Sequence, residues 1–186
     1  QNYEYENSSY LANQFFVVDN TNDRVMFITG YNYLNYRLVK YDKSTGLYSE
    51  DILNSYGLSA GDVTDLAYDE VNQKIVIATT DNGIIVYDEV TTNWTNYTTT
   101  SSPAILENRI ESVRIVGNKI YYIARQLGGV DRARFGILDL SSNINTELTG
   151  YIDLYSENGI RTAQTFITDS YIVFIIRPVS GINISY

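Results

Sequence analysis

The sequence predicts an all-β protein, and three observations carry that prediction. First, the 186 residues include 18 tyrosines and 6 phenylalanines among many Ile, Val and Thr, which are residue types that favour strands. Second, short apolar or alternating runs are separated by polar turns such as residues 80–83, TDNG. Third, no long stretch shows the apolar period of a helix. With 44% hydrophobic residues, the chain can bury the core of one domain.

Residues 57–97 form the clearest structural unit of the sequence. Strand patterns follow one another within this unit, each separated from the next by a short polar turn. A four-stranded antiparallel meander of this kind cannot bury both of its faces alone, so the unit should recur along the chain. Its predicted strands are residues 63–68, 74–79, 83–88 and 93–98.

The first half of the chain contains a second copy of this unit. Residues 16–29 match residues 66–79 with a shift of 50 residues. Residues 38–42 match residues 84–88 with a shift of 46 residues. Both matches keep the polar turns and the order of the strands.

Two looser copies complete the pattern. The third contains residues 119–122 and 135–139, and the fourth contains residues 171–176 as its second strand. Four-stranded repeats with a period of about 45 to 52 residues are typical of β-propeller blades. We therefore predict a β-propeller-like fold with four repeats of a four-stranded antiparallel meander.

The remaining strands follow from the alignment of the copies. The first blade is predicted to have strands at 15–19, 24–30, 36–42 and 47–51, the third at 109–116, 118–125, 134–140 and 147–153, and the fourth at 163–168, 171–177 and 181–186. The whole chain, 1–186, is one predicted domain with blades at 13–52, 60–100, 107–154, and 160–186 together with 1–10.

The fourth predicted blade lacks an outer strand, and two accounts are open. Residues 3–6 could supply that strand and close a four-bladed ring, which would remove the free edges. Alternatively, the chain is part of a larger propeller. We favour the second account because four-bladed rings are uncommon and residue 186 falls in the middle of the pattern.

The apolar second strands should pack between neighbouring blades. The residues expected in this inter-blade core are Val25, Phe27, Ile75, Ile77, Ile120, Tyr122, Ile172 and Phe174. The aromatic residues Tyr48 and Trp94 occupy matching places and should pack at the outer rim.

Residues 57–88 resemble the "two-component regulator propeller" repeat. The repeat consists of a GL, a V-x-x-[IL] strand, a D-x-x-[GN] turn, a [LI]-[WV]-[IV]-[GA]-T strand and a G-[IL]-x-x-[YF]-[DN] strand. In this chain the corresponding residues are 57–58, 63–66, 69–72, 75–79 and 83–88. This chain departs from the family pattern at Val76, where the family has an aromatic residue, and at Asn72, where it usually has Gly. The resemblance implies a propeller fold and a periplasmic, secreted or cell-surface location.

The charge and the missing residue types exclude several classes of function. The net charge is −9 and the cations are scattered, which argues against a nucleic-acid partner. The chain has no cysteine, so disulfides, thiol catalysis and Cys-ligated metals are excluded. It also has no histidine, the commonest general base and transition-metal ligand. We therefore predict a protein without catalytic residues, metal or cofactor.

Several features bear on where the protein resides. No run of apolar residues is long enough to span a membrane, so membrane insertion is not expected. The chain opens on Gln1, which indicates either a removed signal peptide or a piece of a longer protein. Together with the polar composition, this predicts an extracellular or cell-surface protein, periplasmic if the source is bacterial.

Two segments are candidates for ligand contact. Tyr31, Tyr33 and Tyr36 lie in a predicted loop, where their rings could stack on sugars or anchor a protein partner. The alternative is a tyrosine-rich hairpin that packs on itself. Arg125, Arg132 and Arg134 flank a glycine-containing segment that could form either a ligand-contact loop or a long hairpin with an exposed tip.

Acidic residues suggest two further kinds of site. Residues 19–23, DNTND, offer oxygens at alternate positions as a calcium loop does, but the later glycine and glutamate of such a loop are missing. Because the turn recurs at 69–73, a strand connection explains it more simply. Asp62, Asp65 and Glu111 lie near blade starts, where a carboxylate pair could act on a glycosidic bond, or could be solvated acids of turns and edges.

Four N-x-[ST] sequons are candidates for N-glycosylation, at Asn7, Asn93, Asn96 and Asn183. An Asn- and Thr-rich chain also produces such sequons by chance.

Three functions remain open at the level of sequence. The first is a non-catalytic extracellular propeller that binds or scaffolds a protein or glycan partner. The second is a carbohydrate-active propeller that binds or hydrolyses glycans. The third is a structural subunit of a filament or virion that assembles through an open blade edge.

Overall fold

The computed structural model describes residues 15–31, 35–52, 62–126, 131–154, 160–167, 171–178 and 182–185, and these ranges contain strands and turns but no helix. The strands are β1 (Phe16–Asp19), β2 (Arg24–Tyr31), β3 (Asn35–Asp42), β4 (Tyr48–Ile52), β5 (Val63–Asp69), β6 (Lys74–Thr79), β7 (Ile84–Asp88), β8 (Asn93–Tyr97), β9 (Ile110–Val116), β10 (Lys119–Gln126), β11 (Asp131–Asp139), β12 (Ile144–Leu154), β13 (Ile160–Ile167), β14 (Ile172–Pro178) and β15 (Ile182–Ser185).

The strands form antiparallel sheets that follow the predicted repeats. Strands β1 to β4 make blade one, β5 to β8 make blade two, and β9 to β12 make blade three, each as a meander in chain order. Strands β13 and β14 pair with each other and make the described part of blade four. The predicted all-β, β-propeller-like fold is confirmed.

The pairing of β15 differs from the expectation. We predicted residues 181–186 as the third strand of blade four, but β15 adds to the outer edge of β12, from Tyr151↔Ser185 to Leu154↔Ile182. β12 runs from Ile144 to Leu154 and is longer than the predicted strand at 147–153. The backbone N–H and C=O groups on the outer edge of residues 151–154 pair with β15 as an additional strand.

The blades pack side by side through their first strands. β1 contacts β5, β5 contacts β9, and β9 contacts β13, so the blades follow one another in chain order. We call the side of a blade that is turned toward the preceding blade its back face, and the opposite side its forward face.

Blade two is buried on both faces. Ile75 and Ile77 on its back face pack in one cluster with Met26 of blade one. Val76 and Ala78 on its forward face pack in a second cluster with residues of blade three. All of residues 75–78 are fully buried, which explains why this strand reads as a continuous apolar run instead of an alternating one.

The predicted core is correct for blades two and three and wrong for blade one. Ile75, Ile77, Ile120 and Tyr122 are fully buried, as expected. In β2, however, Met26 and Ile28 are the buried residues, whereas Val25 and Phe27 are half-buried. Successive residues of a strand point to opposite faces, and the forward face of blade one is the one covered by blade two.

The remaining packing predictions concern the last blade and the rim. Ile172 is half-buried, and the side chain of Phe174 lies outside the described part of the chain. Tyr48 and Trp94 lie on the outermost strands of their blades, as predicted. The Trp94 ring stacks on Tyr87 of the neighbouring strand, with the ring centroids 4.4 Å apart.

The third strand of each complete blade ends in an aspartate that builds the following turn. The carboxylates of Asp42, Asp88 and Asp139 each accept backbone N–H groups from the second and third residues beyond, as in an Asx turn. The donors are Ser44 and Thr45, Val90 and Thr91, and Ser141 and Ser142. The pKa of all three carboxyls is lowered, mainly by the hydroxyl hydrogen bonds of Ser44 and Ser141 to Asp42 and Asp139 and by the Thr91 N–H in the case of Asp88.

Candidate functional site

The second strand of each complete blade ends on the same side of the molecule. We call this side the upper face and define it by the paired strand ends at Tyr31 and Asn35, at Thr79 and Ile84, and at Gln126 and Asp131. The opposite side, the lower face, carries the turns at residues 20–23 and 70–73. Turns on a rigid sheet scaffold are the usual place for binding residues.

The tyrosine candidates belong to the upper face of blade one. Tyr31 is the last residue of β2 and pairs with Asn35, and Tyr36 pairs with Gly30. Tyr33 lies outside the described residues. The described pairing therefore places two of the three candidates at the upper end of the β2–β3 pair.

Two of the arginine candidates belong to the upper face of blade three. Arg125 is next to the last residue of β10 and pairs with Ala133, and Arg132 pairs with Gln126. The tyrosine and arginine candidates, which are far apart in the sequence, are therefore at the same end of the molecule, on the blades that flank blade two.

Arg134 is held by two glutamates. Its guanidinium donates two hydrogen bonds of 2.8 Å to the carboxylate of Glu147 on β12. Its Nη1 also donates to Glu107 Oε1 at 2.7 Å, which joins blade three to the segment that precedes it. The hydrogen bonds from Arg134 lower the pKa of the Glu147 carboxyl. A contact of Arg134 with a ligand stays a prediction.

Glu111 lies between two arginines near the upper face. Its Oε1 accepts a hydrogen bond of 2.8 Å from Arg109 Nε and lies 3.9 Å from Nη1 of the buried Arg125. The register of β9 against β10 shifts at Glu111, so this residue occupies a β-bulge. Bulges redirect a side chain out of the regular ladder and are common beside functional sites.

Asp65 ties blade two to blade three. Its Oδ2 accepts hydrogen bonds from Ser112 Oγ at 2.8 Å, from the Val113 N–H at 3.0 Å and from Arg114 Nη1 at 2.9 Å. The nearby Asp62 is buried and accepts a hydrogen bond of 3.2 Å from Thr80 Oγ1. Both acids, predicted as candidates for glycosidic chemistry, thus take part in contacts that hold the structure together.

Residues 19–23, whose spacing resembles that of a calcium loop, connect β1 to β2 on the lower face. The buried carboxylate of Asp19 accepts hydrogen bonds from the backbone and side chain of Asn22, at 3.0 and 2.8 Å, and from Arg24 Nη2 at 2.6 Å. Asp69 and Asn72 make the same contacts in blade two. Among the residues that the structure describes, no group of three or more acidic side chains could hold a metal ion.

An ionic network between blades one and two surrounds this turn, and sequence reasoning missed it. Glu89 of blade two binds two cations of blade one. Its Oε2 accepts a hydrogen bond of 3.0 Å from Arg24 Nη2, and its Oε1 forms an ion pair of 3.0 Å with Lys40 Nζ. The Tyr68 hydroxyl lies 3.2 Å from Asp19 and 3.1 Å from Glu89. The match of Arg24 with Lys74 in the repeat alignment marked a recurring cation. The partner of Arg24 in blade two, Glu89, is however 65 residues away in the sequence.

The network shifts the pKa of three of its members: that of Asp19 is lowered, and those of Arg24 and Tyr68 are raised. Burial on its own would raise the pKa of the Asp19 carboxyl, but hydrogen bonds from Asn22 and Arg24 outweigh it, and the pKa is lowered. Burial and the negative charges of Glu89 and Asp19 raise the pKa of the Tyr68 hydroxyl. The lowered pKa of Asp19 and the raised pKa of Arg24 keep this ion pair charged at neutral pH, and the raised pKa of Tyr68 keeps its hydroxyl neutral.

The sequons differ in how much of them the structure describes. Asn93 and Asn96 are exposed on β8, the outermost strand of blade two. Asn183 is in β15 and pairs with Asp153, and Asn7 lies outside the described residues. Glycosylation at any of them stays a prediction.

No segment in the described ranges is a helix with the length and hydrophobicity needed to cross a bilayer.

Comparison with known proteins finds a relation in structure. The fold is similar to the crystal structure of the extracellular domain of a protein assigned as the hybrid two-component system BT3049 of B. thetaiotaomicron, with a TM-score of 0.55 and 17% sequence identity. The match covers 88% of this chain but only 21% of that chain. No protein-family model matches the sequence, and no curated protein matches it.

The structural match agrees with the propeller-like fold that the resemblance of residues 57–88 implies. At this level of identity the comparison establishes the fold alone. This chain is therefore an all-β protein of β-propeller-like blades.

Proposed function

We propose that this chain is part of a non-catalytic β-propeller on the outside of the cell, at the cell surface or in the periplasm, whose upper face binds a protein or glycan partner. One observation carries the proposal. The candidates Tyr31, Tyr36 and Arg132 belong to the upper face of blades one and three, whereas Arg125 is buried at the same end of blade three, 3.9 Å from Glu111.

The residue types of this face suit recognition. Tyrosine offers a large amphipathic ring with little side-chain entropy to lose, and arginine combines a planar charge with the ability to stack. Both are enriched among the residues that dominate binding energy at interfaces. The sheets that carry these strand ends are packed on their neighbours, so the strand ends belong to a rigid scaffold.

The contacts of the acidic residues support a non-catalytic role. Glycoside hydrolysis needs one carboxyl group to protonate the leaving oxygen and a second to act as base or nucleophile. Asp65 accepts hydrogen bonds from three donors of blade three, and Glu111 is paired with Arg109. Both carboxylates are thus engaged in contacts within the protein that join strands and blades.

The proposed location rests on two independent indications. The structurally similar chain is an extracellular domain, and residues 57–88 resemble a repeat of periplasmic and secreted propellers. Protease added to intact source cells should degrade the protein if it lies at the surface. Degradation only after the outer membrane is opened would place the protein in the periplasm. Degradation only after the whole cell is opened would place it in the cytoplasm and would overturn the proposed location.

A glycan array tests the binding role. We expect the labelled chain to be retained on a subset of glycans, and we expect Tyr31→Ala and Arg132→Ala to lose most of that retention because they alter the upper face. Lys43→Ala, an exposed change on the lower face, is the matched control and should bind as the unchanged protein does.

Three results would change the proposal. Release of cleaved sugar would contradict the non-catalytic role and favour the carbohydrate-active alternative. Equal loss of binding by Lys43→Ala would remove the upper face as the site. A chain that is retained on no glycan but still labels intact cells through Tyr31 and Arg132 would limit the partner to a protein.

A further inference from the structure

The first strands of blades two, three and four each contain a β-bulge close to the upper face. The bulged residue is Thr64 in β5, Glu111 in β9 and Arg161 in β13, since the pairing with the second strand shifts register at these residues. The bulge is therefore a property of the repeat, whereas the residue in it differs from blade to blade.

A recurring hydrogen bond lies beside this bulge in the two central blades. In blade two the Thr80 N–H donates to the Asp62 carbonyl at 2.6 Å, and in blade three the Arg125 N–H donates to the Arg109 carbonyl at 2.9 Å. Each bond joins the residue before the first strand to the upper end of the second strand. Blade two makes this joint with an acid and a hydroxyl residue, so the fold itself does not require the two arginines of blade three.

Blade four adds two arginines at the corresponding end. Arg161 lies at the start of β13, and Arg177, near the end of β14, pairs across the strands with Thr162. β13 packs on β9, and the strands of blade four follow the order of the complete blades, so these positions belong to the upper face. We call Arg109, Arg125, Arg161 and Arg177 the arginine site.

The arginine site has an excess of positive charge. One carboxylate, that of Glu111, lies between the two arginines of blade three, 2.8 Å from Arg109 Nε and 3.9 Å from Nη1 of the buried Arg125. Farther out on the same blade the ratio is reversed, because the guanidinium of Arg134 lies between two carboxylates. In a chain with a net charge of −9, four arginines against one glutamate depart from the overall composition.

The type of cation at this place is as informative as the charge. The lysines of the chain all belong to the lower half of their blades, at Lys40, Lys43, Lys74 and Lys119. A lysine ammonium is a point charge, whereas the planar arginine guanidinium donates two parallel hydrogen bonds to a carboxylate or another group with several oxygens. Arginines without lysine therefore favour recognition of such an anion over a general role in solubility.

From this placement we infer that the arginine site binds the anionic groups of an acidic glycan, either carboxylates or sulfates. The inference rests on the proposed binding role of the upper face and adds the chemistry of the partner. A glycan agrees with the positions of Tyr31 and Tyr36 at the upper end of blade one. An acidic sugar presents an apolar C–H face on which a tyrosine ring stacks and an anion that a guanidinium binds.

Calorimetric titration with two matched pairs of probes tests the inference. The first pair is a galacturonate oligomer and its neutral methyl ester, and the second is dextran sulfate and dextran. We expect the acidic member of one pair to bind about 10-fold more tightly than the neutral member, or better. The pair that shows the preference distinguishes carboxylate from sulfate, and the preference should weaken as salt is added.

Substitutions then locate the binding. Arg109→Gln, Arg161→Gln and Arg177→Gln should each weaken binding of the acidic probe about 10-fold, because each removes charge-assisted hydrogen bonds. Arg177→Lys should lose less than Arg177→Gln, since it keeps the charge. Lys119→Gln is the matched control, because it removes one positive charge from an exposed residue at the lower end of blade three and should leave binding unchanged. Circular dichroism checks the fold of each variant, and if one fails to fold the other two carry the test.

Other outcomes would overturn the inference in distinguishable ways. Equal binding of the acidic and neutral probes, or retention of neutral glycans alone on the array, would overturn it and leave the proposed role of the upper face intact. Binding of no glycan and no protein would overturn both. A loss in Lys119→Gln equal to that in the arginine variants would show general charge attraction instead of a site. Tighter binding of polyglutamate than of either acidic glycan would assign the arginines to an acidic protein partner.

Discussion

The ring of Tyr122 lies directly against Gly136 on the neighbouring strand. The two residues form a cross-strand pair of β10 and β11, and a Cβ atom placed on Gly136 would lie 2.1 Å from Cζ of the ring. The buried Tyr122 hydroxyl accepts a hydrogen bond from the Leu106 N–H at 3.1 Å and donates one to Asn145 Oδ1 at 2.9 Å. The glycine thus provides the space through which the tyrosine reaches both partners.

Replacement of Gly136 by Ala should therefore destabilise the protein. The ring is fully buried, so it cannot move aside without disturbing its packing and both hydrogen bonds. Overpacking of a core typically costs about 1–3 kcal/mol, and we expect a loss in the upper part of that range, measured by urea unfolding.

A double-mutant cycle separates this steric effect from other effects of the substitution. In a Tyr122→Leu background the obstructing end of the ring is gone, so Gly136→Ala should cost less by about 1 kcal/mol or more. An equal cost in both backgrounds would show that the ring is not the cause.

A second glycine, Gly83, should also resist substitution, and Gly46 provides its matched control. Both have a positive φ, 75° and 70°, so alanine should suffer similar backbone strain of about 1–2 kcal/mol at either position. A Cβ on Gly46 would meet nothing within 4 Å, whereas a Cβ on Gly83 would lie 2.1 Å from the carbonyl oxygen of Tyr97.

The backbone around Gly83 is fixed by hydrogen bonds and cannot easily relieve that clash. Its N–H donates to the Asn108 carbonyl at 2.8 Å, and its carbonyl accepts from Thr79 Oγ1 at 2.8 Å. We expect Gly83→Ala to lower the free energy of unfolding clearly more than Gly46→Ala does. Similar losses in the two variants, measured by thermal melting, would contradict the steric argument.

The lowered pKa of Asp19 predicts how stability changes in acid. Because the folded protein holds the Asp19 proton more weakly than the unfolded chain, this group adds stability above the unfolded pKa of about 3.8. That contribution is lost as the pH falls through the lower folded pKa. The free energy of unfolding should therefore fall on acidification below about pH 4.

Asp19→Asn should change both the level and the slope of this dependence. At neutral pH the variant should be less stable, by about 1–3 kcal/mol, because Arg24 and Asn22 lose a charged acceptor while Arg24 keeps its ion pair with Glu89. Its stability should then fall less steeply in acid, since the titrating group is gone. Parallel curves for the two proteins in acid would show that Asp19 does not contribute to the acid transition.

The sequence allowed the blades and their turns to be predicted because both depend on local signals. The strand at Lys74–Thr79 has the predicted bounds, and the Asp residues at the strand ends build turns with their immediate neighbours. The buried face of β2 could not be predicted, since Val25, Met26, Phe27 and Ile28 are all apolar and show no alternation. Only the position of blade two decides which of them are buried.

Contacts between distant residues were equally hidden from the sequence. Arg24 and Glu89 are 65 residues apart, and nothing in either local pattern marks them as partners. The same holds for β15, whose pairing with β12 depends on an open edge that exists only in the folded molecule. The grouping of Tyr31 and Arg132 at one end also required the strand register of two separate blades.

The turn that follows each third strand yields a prediction of increased stability. The fourth residue after the strand-ending Asp has a positive φ in all three complete blades: 70° at Gly46, 58° at Thr92 and 57° at Asn143. Glycine and asparagine adopt this conformation readily, but a β-branched residue such as threonine is strained in it. The repeat thus places the wrong residue type at one of three equivalent positions.

Thr92→Gly should remove that strain and stabilise the protein. Relief of about 1–2 kcal/mol is offset in part by the larger freedom of glycine in the unfolded chain, so a net gain of up to about 1 kcal/mol is expected. For a chain of this size that gain raises the melting temperature by about 2–4 °C. Asn143→Gly is the matched control and should be neutral or slightly destabilising, because asparagine already tolerates this conformation, glycine is freer in the unfolded chain, and the hydrogen bond of 3.4 Å from Asn143 to the Ser102 carbonyl is lost. A melting temperature for Thr92→Gly at or below that of the unchanged protein would show that the Thr92 hydroxyl, which donates to the Thr91 carbonyl at 2.7 Å, contributes more than the strain costs.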